Sequence, residues 1–443
     1  MVKFRWETEF KKTPIGEIPK DWIETQIKDI GRVVTGKTPP TKKKEFWKND
    51  YPFITPSDIE DYDVRYFYRV ERFVSKSWVE KNPQLLVPPN SICFVCIGST
   101  IGKICLTKEP STTNQQINTV IPYKNKFDPL FVFYLLRGHQ FRIKEEYGGG
   151  GAAKDIISKS KFESVIIPIP PTKEEQRRIA TVLSWFDDLI ENKRKQNEIL
   201  EKTAMAIFKS WFIDFGPFQD EEFIYSEELD MEIPKGWEVK PIGEVADIIS
   251  GFSYKSSEKL DNPDPDSYVF ITLKNTIEGG GFNPEYSWIR SERLKKRHFL
   301  RESDLILPIT EQTKDARLLG SPGIVVFPPE YSKSEGVYSM DIAKVELTME
   351  EYKYYLYFNF KFNREQVATF HSGTSILHFK IRNFKENYYL LIPPKPILKK
   401  FHSLVEPLFQ KIILNEKEIM LLKKVRDTLL PQLVFGRLRV VEI

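Results

Sequence analysis

The chain has 443 residues, enough for two to four domains with substantial cores. A hydrophobic content of 41% and a charged content of 29% are those of a globular protein, and a net charge of +4 excludes a polycation. Three cysteines exclude a disulfide scaffold. The N-terminus lacks a signal-peptide core, and no apolar run approaches the ~20 residues of a membrane helix, so a soluble cytoplasmic protein is expected.

The chain opens on a segment that returns later. Ile18-Pro19-Lys20-Asp21-Trp22 recurs as Ile233-Pro234-Lys235-Gly236-Trp237, and the register holds at Ile27/Ile242 and Gly36/Gly251. Further along, Gly151/Gly373, Phe162/Phe384 and Pro171/Pro393 match at an offset of 222. This is an internal duplication, and a duplicated unit binds two partners or reads something in two parts.

Residues 1–170 read as β-rich, with strands expected over 51–55, 91–97 and 165–169 and a turn at Pro88-Pro89-Asn90. Lys42-Lys43-Lys44 forms a basic loop suited to polyphosphate contact. Cys93 and Cys96 form a C-x-x-C, but they lie in an apolar strand with only Cys105 near, which is too few ligands for zinc. Gly148 to Gly151 is a flexible or tightly turning segment.

From Pro170-Pro171 the period changes. Thr172 caps a helix, Glu175 completes a capping box, and Gly216-Pro217 ends it after about 60 Å at ~1.5 Å per residue. Ile179, Phe186, Lys193, Leu200 and Ile207 recur every seven residues. Leu183, Ile190, Asn197, Ala204 and Trp211 follow four after each. These are coiled-coil heptads.

Residues 216–392 repeat the β-rich character, with strands expected over 268–273, 304–307 and 323–326. Phe53-Ile54-Thr55 corresponds to Phe270-Ile271-Thr272, and Phe133-Tyr134-Leu135 to Tyr354-Tyr355-Leu356. A second basic cluster runs from Arg290 through Arg293, Lys295 and Lys296 to Arg297.

After Pro393-Pro394 the second seam runs Phe401, Leu408, Asn415, Leu422, Leu429, with Val405, Ile412, Ile419, Arg426 and Leu433 as its other edge. Pro407 should kink or restart this helix. Polar seam residues either fix register or mark a wet, splayed stretch. The two helices are expected to pair antiparallel, placing the β-rich units at opposite ends of a rod that acts as a ruler.

Catalytic signatures fail one by one. Gly98-Ser99-Thr100-Ile101-Gly102-Lys103 resembles a phosphate loop but is one residue short and lacks the magnesium-holding hydroxyl. There is no G-x-G-x-x-G, no Asn/Asp-Pro-Pro-Tyr/Phe tetrad, no G-x-S-x-G and no histidine pair at helical spacing. The residues describe a non-enzyme, a two-headed binder.

Ile169-Pro170-Pro171-Thr172-Lys173-Glu174-Glu175-Gln176-Arg177-Arg178-Ile179, and Phe208-Lys209-Ser210-Trp211-Phe212-Ile213-Asp214-Phe215 after it, resemble conserved regions of type I restriction–modification specificity subunits. Gly16 to Trp22 resembles the start of a target recognition domain in that family. The resemblance implies an α+β chain with a pseudo-two-fold repeat. Its parts would be a first recognition domain (1–170), a spacer helix (171–215), a second recognition domain (216–392) and a second spacer helix (393–443). It implies two unlike DNA half-sites set apart by an antiparallel coiled coil, and docking of two methyltransferase subunits. Cofactors would sit in partners, S-adenosylmethionine with the methyltransferase and ATP and Mg with restriction subunits, and none in this chain.

Candidate DNA contacts follow from side-chain chemistry. They are Lys37, Thr38, Thr41, Lys42 and Lys43 in the basic loop, with Ser253, Tyr254 and Lys255 at the matching place in the second copy. Ser99, Thr100 and Lys103 lie in the small-residue loop, to which Thr310, Gln312 and Lys314 correspond less closely. Asn114, Gln115 and Gln116 offer amides that pair bidentately with adenine. The competing reading is a coiled-coil scaffold that pairs two proteins without binding DNA.

Overall fold

A computed structural model describes residues 2–59, 65–67, 69–148, 155–311, 315–373 and 376–443. The chain forms two compact units, Met1–Leu189 with Leu422–Ile443, and Ile190–Leu421. Their boundary falls within the two long helices, Lys173–Phe212 and Lys395–Val434, which are each 40 residues long and start 222 residues apart.

The two units repeat one topology. In the first, a four-stranded sheet has the order Gly31–Thr35, Ile117–Pro122, Ile92–Val95, Ile104–Leu106. In the second, Ala246–Ser250, Ile342–Leu347, Leu305–Pro308 and Gly323–Ile324 take the same order. Phe53 and Ile54 pair in parallel with Thr112 and Thr113, as Phe270 and Ile271 do with Val337 and Tyr338. Thr55 and Thr272 then each open a short turn closed by a side chain three residues on, Asp58 and Asn275. A further antiparallel pair, Ile23–Gln26 with Ile166–Ile169, matches Glu238–Pro241 with Tyr389–Ile392.

The Ile-Pro-Lys-x-Trp motif is a packed corner in both units. The Trp22 N–H donates to the Pro19 carbonyl (3.0 Å) and the Trp237 N–H to that of Pro234 (3.1 Å), which turns each indole into its core. Phe133, Tyr134 and Leu135 lie buried on the helix Pro129–Tyr147, and Tyr354, Tyr355 and Leu356 on Tyr352–Phe362. Phe162 and Phe384 are buried on short helices at matching places. Gly151, the partner assigned to Gly373, lies outside the described residues with most of the Gly148–Gly151 segment.

Every predicted seam residue is buried or half-buried. Within each unit the helices run antiparallel. In the first, the Arg426 guanidinium lies 2.7 Å from Asp187. In the second, Lys193 pairs with Glu418, the Asn415 amide donates to Asn197 (2.8 Å), and the Phe208 and Phe401 rings are 6.2 Å apart. The polar seam residues are therefore paired, which favours the register-fixing reading over the wet one. Two further buried side chains of the first helix, Phe208 and Phe212, fall outside the heptad. They point into an aromatic core with Tyr355, Trp237 and Phe401.

The second helix does not restart at Pro407 but runs on through it. The ring removes the bond to the Ser403 carbonyl, but Val405 and Phe409 on either side are buried and hold the turn. The capping box is half formed. Thr172 Oγ1 accepts from the Glu175 N–H (3.3 Å), but the Glu175 carboxylate is taken by Arg439, at 2.5 Å from Nε and 2.9 Å from Nη2. Arg439 also meets Glu7 and Asp21, and its strand Leu438–Glu442 pairs with Lys3–Trp6. This competition for Glu175 fixes the C-terminal strand within the first unit.

Candidate nucleic-acid interface

In each four-stranded sheet the second strand runs antiparallel to the first and third. The end of the first strand, the start of the second and the end of the third therefore meet at one sheet edge. Sequence places polar and basic residues on the loops there.

In the first unit, Lys37 and Thr38 leave the strand Gly31–Thr35, and Asn114 to Gln116 lead into Ile117–Pro122. The two loops are joined. The Lys37 N–H donates to the Thr113 carbonyl (2.9 Å), and the Thr38 hydroxyl to Gln115 Oε1 (2.7 Å). Gly36 has to be glycine, because a Cβ there would stand 2.2 Å from the Thr113 carbonyl oxygen and 2.3 Å from that of Asn114. Gln115 is exposed at the tip of this turn, and Lys37, Thr41, Lys42 and Lys43 are exposed on the loop after Gly31–Thr35 to which it is joined. Lys43 sits over the Phe46 ring and the Trp47 indole N–H bonds the Pro40 carbonyl, so aromatic packing shapes the basic loop.

Other candidates carry structural duties. Asn114 is buried and closes the turn, accepting from the Gln116 N–H (3.0 Å) and donating to Gln116 Oε1 (3.1 Å). The Lys103 ammonium reaches the Ile59 carbonyl (2.6 Å), and the Thr100 hydroxyl the Ile97 carbonyl (2.9 Å). Ser99 is exposed, with its carbonyl accepting from Lys144 (2.9 Å).

In the second unit Ser253 and Lys255 are exposed and Tyr254 is half-buried, its ring 4.8 Å from Phe270. Thr310 is a correction. It is buried in a short strand paired with Leu377–Phe379, which removes its side chain from the surface. Gln312 and Lys314 lie outside the described residues.

The second basic cluster is partly neutralised. Arg290 pairs with Asp264 (2.7 Å) and Arg293 with Glu258 (2.5 Å), and Arg293 and Ser291 pull the Glu258 carboxyl down to about 2. Lys295, Lys296 and Arg297 remain exposed. Burial, and then the charges of Arg297, Lys295 and Arg293, lower the pKa of His298, which favours its neutral form. This segment is fastened to the sheet edge on both sides. Arg293 Nη2 donates to the Ser253 carbonyl (3.1 Å), and the Tyr338 hydroxyl to the Arg297 carbonyl (2.8 Å).

The sequence reading missed the loop Ser339, Met340 and Asp341, which stands where Asn114 to Gln116 stand in the first unit. The signal was Gly251, whose Cβ would lie 2.3 Å from the Tyr338 carbonyl oxygen and 2.5 Å from that of Ser339, as Gly36 does against its own loop.

Among the described residues no group of three or more His, Cys, Asp or Glu could hold a metal ion, and no helix is long and apolar enough to cross a membrane. Cys93 faces Cys105 across two strands, while burial pushes the Cys96 thiol up to about 12, away from the thiolate that zinc requires.

Two like units, each ending its sheet in a polar loop flanked by cations, define a duplicated binding protein. The model of the type I restriction modification DNA specificity domain matches residues 19–202 and again 234–424. The MjaIX type I restriction enzyme specificity subunit of Methanocaldococcus jannaschii is 43% identical, covering 100% of this chain and 99% of its own. The MjaVIII specificity subunit of the same organism is 30% identical over 70% of this chain and 68% of its own. The solved S subunit of a type I system from M. genitalium superposes with a TM-score of 0.53 at 18% identity, over 93% of this chain and 96% of its own, and so shares the fold. The chain belongs to the family of type I restriction–modification specificity subunits. Specificity subunits are the non-catalytic, DNA-recognising components of these systems.

Proposed function

We propose that this chain recognises a split, asymmetric DNA site, one half by each unit, and holds two methyltransferase subunits on that site. The observation that carries this reading is the repeated sheet-edge loop, built on one backbone in both units but with different side chains. Like scaffolds with unlike tips suit a site whose halves differ in sequence. The two long helices, shared by both units and paired through fitted polar residues, would set the distance between the halves. Partner subunits would supply S-adenosylmethionine for modification, and restriction subunits would add ATP and Mg. The complex would work in the cytoplasm, where its DNA is.

Exposed cations beside both loops can meet the phosphates of a duplex, and the salt dependence of binding separates this reading from a protein-only scaffold. Lys37, Lys42, Lys43, Lys44, Lys255, Lys295, Lys296 and Arg297 are exposed there. If they meet phosphates, affinity of the chain with its modification subunits should fall about a thousandfold between roughly 50 and 200 mM salt. Filter binding or anisotropy on a DNA duplex measures this. No binding at low salt would favour the scaffold.

A further inference from the structure

The turn before the second sheet strand is built on the same set of hydrogen bonds in both units, with one addition in the second, where the Met340 N–H donates to the Phe252 carbonyl (3.0 Å). The Asn114 N–H donates to the Ile54 carbonyl (3.1 Å), and the Ser339 N–H to that of Ile271 (2.9 Å). The Gly36 N–H meets the Ile117 carbonyl (3.2 Å), and the Gly251 N–H that of Ile342 (3.1 Å). The Lys37 N–H bonds Thr113 (2.9 Å), and the Phe252 N–H bonds Tyr338 (2.7 Å). The Cys96 N–H reaches the Gln116 carbonyl (2.8 Å), and the Ile309 N–H that of Asp341 (2.8 Å). Even the closing bond is kept. The Gln116 N–H donates to the Asn114 side chain (3.0 Å), and the Asp341 N–H to the Ser339 hydroxyl (3.4 Å). Residue 114 therefore corresponds to 339, 115 to 340 and 116 to 341.

At the tip of this turn the first unit presents an amide, Gln115, and the second a thioether, Met340, which is 48% exposed. An isolated methionine with half its surface in water gains nothing for folding from that exposure. Its surroundings are basic. The exposed cations Lys295, Lys296 and Arg297 are carried on the segment that bonds Tyr338 and Ser253, the residues framing the turn. In the major groove an apolar side chain finds one apolar feature on a base edge, the 5-methyl of thymine.

We infer that Met340 is a specificity-determining residue of the second unit and selects a thymine by contact with its 5-methyl group, at the place where Gln115 presents an amide in the first. The inference rests on the DNA-recognition reading above and adds the residue and the chemical group that it reads.

The test uses the full chain with its modification subunits and maps the methylated motif of the wild type, Met340→Gln and Met340→Leu. The expected result is that M340Q changes preference at one position of one half-site and leaves the other half unchanged, while M340L keeps the wild-type motif. With wild-type protein, replacing that thymine by uracil should slow methylation about fourfold, the worth of one buried methyl group. An unchanged motif in M340Q, or no effect of uracil at any thymine of the site, would overturn the inference. The uracil arm needs no variant, so a misfolded M340Q does not protect the inference. A wild-type complex that methylates no split motif would instead overturn the DNA-recognition reading itself.

Discussion

Asp187→Ala should destabilise the first unit by about 3–5 kcal/mol, the usual result of removing one partner from a buried ion pair. Asp187 and Arg426 are 5% and 1% exposed, and they meet across the two long helices. The same carboxylate accepts the Tyr134 hydroxyl (2.6 Å) and lies 3.7 Å from Arg137, itself buried. Alanine would take from Arg426 its buried carboxylate partner, although Asp427 at 2.9 Å would stay, and would orphan a buried phenol. For a unit of about two hundred residues this corresponds to a fall of roughly 10 °C in the thermal midpoint. Differential scanning calorimetry reads it directly. Replacing both Asp187 and Arg426 by apolar residues should cost less than the two single changes summed, because the Arg426 charge goes with its partner. Additive losses would show that the pair does not couple the helices.

The second large effect concerns spacing. One heptad inserted after Leu189, with a facing heptad after Leu421, lengthens both helices at the boundary between the units while keeping the seam in phase. Seven residues add about 10 Å, or about three base pairs of duplex. On the proposed ruler role, this variant should stop methylating the site at its original spacing. Activity should return only on sites whose halves stand about three base pairs further apart. It should stay below the wild-type rate, since three base pairs also turn the second half about 100° around the duplex and the DNA must twist to compensate. Unchanged methylation at the original spacing would refute a spacing role for the helices.

What the sequence revealed depended on how local each signal was. The heptads are local and dense, so both 40-residue helices and their buried seam could be read directly. The depth of Phe208 and Phe212 could not, because heptads count only a partner helix and these rings face a core assembled from distant segments. The diversion of Glu175 from its cap was hidden for the same reason, since Arg439 lies 264 residues away. At the sheet edge, Gly36 and Gly251 lie 215 residues apart but Gln115 and Met340 lie 225 apart, because the intervening loops differ in length. An unlike residue in a shifted register leaves no trace in a sequence comparison. Thr310 was misplaced because its burial comes from pairing with a strand near residue 378.

The most direct test of the central claim is single-molecule methylome sequencing of DNA from a host that expresses this chain with its modification subunits. The expected result is one motif in two unlike halves separated by a fixed number of unspecified base pairs. A single uninterrupted motif, or two identical inverted halves, would contradict a chain whose two units read different sequences.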